Sequence, residues 1–124
     1  MRVAVLGMGA IGHVVTRALD GRCELVPVDR TRAPLRDGEA PVDAAVVATK
    51  TFGTAWAAAQ AARVLAGDGV ALTIQNGLGN QETLAATLGA DRVALGVIYV
   101  GAQLREDGTL LATGPGRVEL GRPP

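Results

Sequence analysis

Aromatic residues are almost missing from this sequence: one Trp, one Tyr and one Phe, 2% of 124 residues. The core must therefore be assembled from Ala, Val, Leu and Ile. There is one cysteine, which excludes an internal disulfide and a Cys-based metal cage and fits a reducing compartment. No metal is expected. Neither sign of charge is in excess, with 12 Lys+Arg against 12 Asp+Glu. That balance gives no reason to expect nucleic acid or an anionic membrane as the main partner. No apolar run approaches the roughly 18 residues of a membrane span. The run Val3 to Leu6 breaks at once into Gly-x-Gly, with no cleavage site after it. The length suits one domain, taken as 1–124, and the chain reads as soluble and cytoplasmic.

What is present is apolar and glycine-rich: 48% hydrophobic residues and 17 Gly. Val3-Ala4-Val5-Leu6 reads as a strand buried on both faces. From Ile11 the period changes, and Ile11, Val14, Val15, Ala18 and Leu19 share one helical face. Glu24 to Val28 is a second strand, in which Pro27 demands an edge or a strand end. Thr31 to Val42 is a polar loop. Ala44 to Ala48 is a third strand. An Ala-rich helix follows from about Thr54 to Ala66, with Phe52, Trp56, Ala59 and Ala62 marking one face. Gly67-Asp68-Gly69 is a turn, Val70 to Ile74 a fourth strand, Asn80 to Leu88 a helix, and Arg92 to Val100 holds a fifth strand. Beyond it, Glu106-Asp107-Gly108 and Gly114-Pro115-Gly116 signal two hairpin turns between short strands. Alternating strands and helices predict an α/β fold: Rossmann-like, doubly wound, a mostly parallel sheet with a small antiparallel C-terminal tail.

Gly7-Met8-Gly9-Ala10-Ile11-Gly12 is a G-x-G-x-x-G placed between the first strand and the first helix. That context is the one a dinucleotide fingerprint requires. Gly7 permits the turn, Gly9 lets backbone approach a pyrophosphate, and Gly12 lets the helix pack on the strand. The unpaired N–H groups of the helix start then face the phosphates. Asp29 and Arg30 follow the second strand, about 20 residues past the first glycine. An acid there takes the ribose hydroxyls of NAD, and an Arg accommodates the extra phosphate of NADP. Asp29 favours the first, Arg30 and Arg32 the second, and spacing alone leaves both open. Lys50 and Asn76 each follow a strand at its carboxyl end, where open α/β sheets bind ligands. Both could face the nicotinamide or a carboxylate substrate.

The stretches Val5 to Gly12, Val46-Val47-Ala48-Thr49-Lys50, Gln75-Asn76-Gly77-Leu78-Gly79 with Glu82, and Gly96 to Gly101 together resemble the N-terminal domain of the ketopantoate reductase (2-dehydropantoate 2-reductase) family. The antiparallel tail to Gly121 sits where that family has one. The resemblance implies NADPH-dependent reduction of a small 2-oxo acid, ketopantoate, in pantothenate and coenzyme A synthesis. It implies that Gly7, Gly9 and Gly12 form the pyrophosphate turn and that Arg30 meets the 2′-phosphate. It also implies that Lys50 and Asn76 lie near nicotinamide and substrate. Two positions depart from the family: Val97-Ile98-Tyr99-Val100 replaces a threonine-rich stretch ending in His, and Asp29 sets a negative charge beside the phosphate site. In the family the general-acid lysine lies on a helical C-terminal domain that these residues do not include. The catalytic acid is accordingly unassigned; His13 and Tyr99 could donate a proton in principle but read as solvated and packed. The alternative is a non-catalytic NAD(P)-binding module or a truncated remnant. The apolar strip that the missing elements would cover is expected to be covered by self-association or a partner.

Overall fold

The computed structural model describes residues 1–31 and 39–122. The N-terminal apolar run forms β1 (Arg2–Leu6), with Val3 to Leu6 buried. Helix α1 (Ala10–Leu19) follows where the period changes, and then β2 (Glu24–Val28). Next come β3 (Val42–Val47), a 3-10 turn at Thr51–Gly53, α2 (Thr54–Val64), β4 (Leu65–Thr73) and α3 (Asn80–Leu88). A second 3-10 turn (Ala90–Arg92), β5 (Val93–Leu104) and β6 (Leu110–Leu120) complete the order. The strands make one sheet, β2-β1-β3-β4-β5-β6. All neighbours are parallel except β5 and β6, which are antiparallel. This is the α/β, Rossmann-like, doubly wound sheet with an antiparallel C-terminal tail that the sequence predicts. β2 pairs with β1 alone, so Pro27 lies on an edge, where a missing N–H is tolerated.

The winding reverses beside β1. The crossover from β1 runs outward to β2, while those from β3 and β4 run the other way. Right-handed crossovers in opposite directions place α1 on one face and α2 and α3 on the other. Ile11, Val15 and Leu19 of α1 pack on Val3, Val46 and Ile74. On the opposite face Ala57, Ala58, Ala61 and Val64 of α2, with Leu84 and Leu88 of α3, pack on Leu6, Val28, Val47 and Val93. Full burial of a side chain such as Leu6 or Leu84 contributes about 1.5–3 kcal/mol. Among the described residues no buried side-chain N or O lacks a hydrogen-bond partner, and no helix is long and apolar enough to cross a membrane.

Four expectations are corrected. The buried face of α2 is Ala57, Ala58, Ala61 and Val64, whereas Phe52, Ala59 and Ala62 are exposed. In an alanine-rich helix no contrast of side-chain size marks the inner face. Second, Gly67-Asp68-Gly69 does not separate helix from strand. β4 begins at Leu65, which pairs with Val42; Ala44 then pairs with Val70, so Ala66–Gly69 bulge out of the ladder. Arg92 closes that bulge by donating to the Gly69 carbonyl (2.9 Å) and the Ala66 carbonyl (2.7 Å). Third, among the described residues there is one hairpin, not two. Its turn is the one at Glu106-Asp107-Gly108, where Gly108 N–H donates to the Arg105 carbonyl at 2.9 Å. There the Thr109 N–H, 2.9 Å from the Asp107 carboxylate, holds that carboxyl below its ordinary value. Gly114-Pro115-Gly116 instead lies within β6 as a bulge, because Tyr99 pairs with Arg117 and Gly101 with Thr113. Proline has no N–H for a ladder, and a bulge does not ask for one. The loop expected over Thr31 to Val42 falls largely outside the described residues, and Val42 itself opens β3. Fourth, Tyr99 is exposed rather than packed, its ring covered by the Arg117 guanidinium 4.6 Å from its centroid, and Leu95, Val97, Leu111, Val118 and Leu120 of the β5–β6 ribbon are exposed with it.

Arg92 is half-buried and serves two carbonyls that the β4 ladder does not reach. Arg92→Ala is expected to lower the unfolding free energy by about 1–3 kcal/mol, the cost of orphaned backbone acceptors. Urea denaturation of the two proteins checks this.

Candidate functional site

The carboxyl ends of β1, β3 and β4 open into one cleft of about 630 Å³, within the usual size range of small-molecule sites. It lies where the winding reverses, between the crossover that leaves β1 toward β2 and the one that leaves β3 toward β4. Gly7 to Ile11 form one wall, Asp29 and Arg30 one end, and Thr49 to Gly53 with Gln75 and Asn76 the opposite wall. β5 adds Ile98, Val100, Gly101 and Ala102.

Of the residues singled out from the sequence, Gly7, Met8, Gly9, Ala10, Ile11, Arg30, Lys50 and Asn76 all line this cleft. Gly12 does not; it lies buried behind it. The three glycines meet three different demands. Gly7 has φ +99°, and a Cβ there would lie 2.7 Å from Thr49 Cγ2 and 2.9 Å from Thr49 N. A Cβ on Gly12 would overlap the Gly7 carbonyl oxygen, so the helix starts against the strand end with no room for a side chain. Gly9 has an ordinary φ of −78°, and a Cβ on it would meet nothing within 4 Å. The protein itself makes no demand for glycine there. The space a side chain would take is cleft space, which fits a group that must touch backbone. Gly9 is also the N-cap of α1, with no side-chain cap and no acid in the first turn. The helix start therefore keeps its donors and its partial positive charge for an anion. His13 is tied back to this turn, its Nδ1 donating to the Gly9 carbonyl at 2.8 Å.

At the β2 end, the Asp29 carboxylate accepts from Thr31 N–H (2.8 Å) and the Thr31 hydroxyl (2.6 Å). The Arg30 guanidinium lies 5.7 Å from the centroid of the Trp56 ring. A ring face holds a guanidinium and leaves its N–H fork free for an anion. Arg32 lies outside the described residues.

Lys50 and Asn76 are exposed on facing loops. Their side chains bond none of the described residues, while their backbones are held firmly. Asn76 O accepts from Thr51 Oγ1 (3.0 Å) and Asn80 Nδ2 (3.2 Å). Asn80, buried at the start of α3, is fixed by Thr54 Oγ1 at 2.8 Å. Gln75 reaches across to the end of β3. Thr49, Thr54, Gln75, Asn80 and the cleft residues Phe52 and Trp56 are the site residues that pattern reasoning passed over. The signal was there: each of Thr49 and Gln75 is a polar residue directly behind an apolar strand. Two of the three aromatic side chains also fall on one short segment. Among the described residues no cluster of His, Cys, Asp and Glu could hold a metal ion.

Comparison with known proteins agrees with this geometry. The family model for Ketopantoate reductase PanE/ApbA matches residues 34–124. The 2-dehydropantoate 2-reductase of Halobacterium salinarum is 31% identical over 150 residues, covering 98% of this chain and 49% of that protein. The chain thus spans about half the length of the curated relative it matches. Among solved structures, 2-dehydropantoate 2-reductase from Geobacter metallireducens superposes with a TM-score of 0.76 at 26% identity, over 99% of this chain and 50% of that one. A D-mandelate dehydrogenase solved with NADH and anilino(oxo)acetate superposes with a TM-score of 0.79 at 20% identity, over 97% of this chain and 48% of that one.

The glycine geometry separates two substitutions that look alike in the sequence. Gly12→Ala forces helix and strand apart and is expected to cost about 1–3 kcal/mol or more. Gly9→Ala adds a methyl to open space at an ordinary φ and is expected to change stability by less than about 0.5 kcal/mol. Thermal and urea unfolding of both variants check the pair.

Proposed function

Because the chain belongs to the ketopantoate reductase family, we propose that it is the nicotinamide-dinucleotide-binding part of an oxidoreductase that reduces a small 2-oxo acid, with NADPH as the favoured cofactor. The observation that carries the proposal is the open cradle at Gly9, in front of an uncapped helix start with no acid in its first turn. Gly7, Met8, Gly9, Ala10 and Ile11 would hold the pyrophosphate, with Gly12 setting the helix close behind them. Arg30, steadied over Trp56, would meet the 2′-phosphate with its fork of N–H donors. One oxygen of the Asp29 carboxylate accepts both bonds from Thr31, and the preference for NADPH over NADH rests on Arg30. The D-mandelate dehydrogenase neighbour was solved with NADH, so both cofactors belong in the assay.

When bound, the reduced nicotinamide supplies a hydride to a carbonyl carbon. Lys50 would pair its ammonium with the carboxylate of the 2-oxo acid, and the Asn76 amide would donate to a substrate or nicotinamide carbonyl. Both are free among the described residues and project from loops whose backbones are fixed. Ketopantoate is the substrate proposed, in cytoplasmic pantothenate synthesis, on the family membership. The proton for the developing alkoxide is proposed to come from a lysine outside these 124 residues.

Titration with NADPH and NADH tests this reading. NADPH should bind more tightly than NADH. Gly9→Val should abolish binding of both while the protein stays folded, and Arg30→Ala should erase the preference, worth about 1.5–3 kcal/mol for hydrogen bonds to a charged phosphate. Undiminished binding by Gly9→Val, or equal affinities in wild type, contradicts it.

A second measurement concerns turnover. Ketopantoate-dependent NADPH oxidation by the 124-residue chain should be lower than family-like rates by the roughly 10²–10⁴-fold that a positioned acid contributes. Full turnover would place an acid inside these residues.

A further inference from the structure

The parallel ladder between β3 and β4 ends at Val47 and Thr73, with one more bond from Ile74 N–H to the Val47 carbonyl at 3.3 Å. Past that point the strands part to open the cleft, and the carbonyls of Thr49 and Lys50 have lost the ladder, the second keeping a turn bond from Gly53 N–H at 2.8 Å. The Gln75 side chain reaches into the gap. Its Nε2 lies 3.0 Å from the Thr49 carbonyl, 2.9 Å from Thr49 Oγ1, 3.2 Å from the Lys50 carbonyl and 2.9 Å from Thr54 Oγ1. Its Oε1 accepts from Thr73 Oγ1 at 3.1 Å. Two N–H groups shared among four acceptors, and one carbonyl anchored on its own strand, make a clamp across the parting strands.

The clamp also touches the fingerprint. Thr49 is the residue packed against Gly7, where even a methyl group would not fit. Gln75 thus fixes the backbone of Thr49 and Lys50, while the glycine turn itself is seated by the close contact of Gly12 with the Gly7 carbonyl. Its neighbour Asn76 leaves the same clamped strand end.

We propose that Gln75 is a positioning residue for the nicotinamide half of the site: it holds the ends of β3 and β4 at the separation that sets Lys50 and Asn76 across the bound ring. Gln75 acts through these residues and not by contact with the reacting atoms. The inference rests on the dinucleotide reading above. It adds a division within the site, because Arg30 and Trp56 stand at the β2 end and have no bond to Gln75. The adenosine half of a ligand should not sense the clamp.

Calorimetric titration of wild type and Gln75→Leu with two probes, NADPH and adenosine 2′,5′-bisphosphate, tests the division. Leucine keeps most of the volume and none of the donors. The expected result is an NADPH affinity reduced about tenfold, the scale of one orphaned backbone acceptor, the Thr49 carbonyl, with the bisphosphate affinity within about twofold of wild type. Equal loss for both probes, or loss for neither, overturns the proposal, since a general structural role would move both together. Should Gln75→Leu fail to fold, Gln75→Asn, one methylene too short to span the gap, is read by the same criterion. Wild type that binds neither probe overturns the dinucleotide reading itself, and the clamp's role with it. Wild type that binds both, with a variant that shows no split, overturns the clamp alone.

Discussion

No side chain fits between the Gly7 carbonyl and the first turn of α1. That close approach fixes much of the rest. It sets the start of α1 directly on the end of β1, so the unpaired donors of the helix cannot swing away from the strand ends. It leaves Gly9 at the rim with open space before it. It also lets Ile11, Val15 and Leu19 bear on Val3, Val46 and Ile74 from a fixed starting point. Thr49 presses on Gly7 from the other side, so the turn is confined between the helix and the end of β3. A cleft wall built from backbone alone suits phosphate oxygens, which need N–H donors and no side chain in the way.

The opposite wall is built by other means. Where β3 and β4 part, backbone hydrogen bonding would fail, and amide and hydroxyl side chains take over. Gln75, Thr54 and Asn80 carry the bonds between the strand ends and the start of α3. A buried polar set of this kind is favourable only when every member is paired, and among the described residues every member is. The result is a pair of loops that present exposed Lys50 and Asn76 from rigid backbone. Rigid support for exposed polar groups is what a site needs if it is to bind without first ordering itself.

The sequence made some of this legible and hid the rest. The apolar strand before Gly7, the six-residue glycine spacing and the change of period at Ile11 sufficed for β1, the turn and α1. Alternation of strand and helix sufficed for a parallel, doubly wound sheet, and Pro27 demanded an edge or a strand end, of which the fold takes the edge. The inner face of α2 was not legible, since Ala59 and Ala61 look alike and only packing tells them apart. Glycine-rich tripeptides misled twice. Gly67-Asp68-Gly69 and Gly114-Pro115-Gly116 both read as turns, and both became bulges because the flanking strands keep their pairing on either side. Position behind an apolar strand marks Gln75 as a site residue, but the bonds that Gln75 and Asn80 make could not be read from pattern. Their partners at the end of β3 and the start of α2 lie 21 to 26 residues away along the chain, and only the sheet brings them together.

The central claim is that the cleft at the ends of β1, β3 and β4 is where a nicotinamide dinucleotide sits. Amide hydrogen–deuterium exchange with and without saturating NADPH tests it most directly. The account predicts new protection in the β1–α1 turn from Gly7 to His13, around Arg30, and from Lys50 to Thr54, with the hairpin tip at Glu106 to Gly108 unchanged. Protection that spares the glycine turn, or that falls on the β5–β6 ribbon instead, would contradict it.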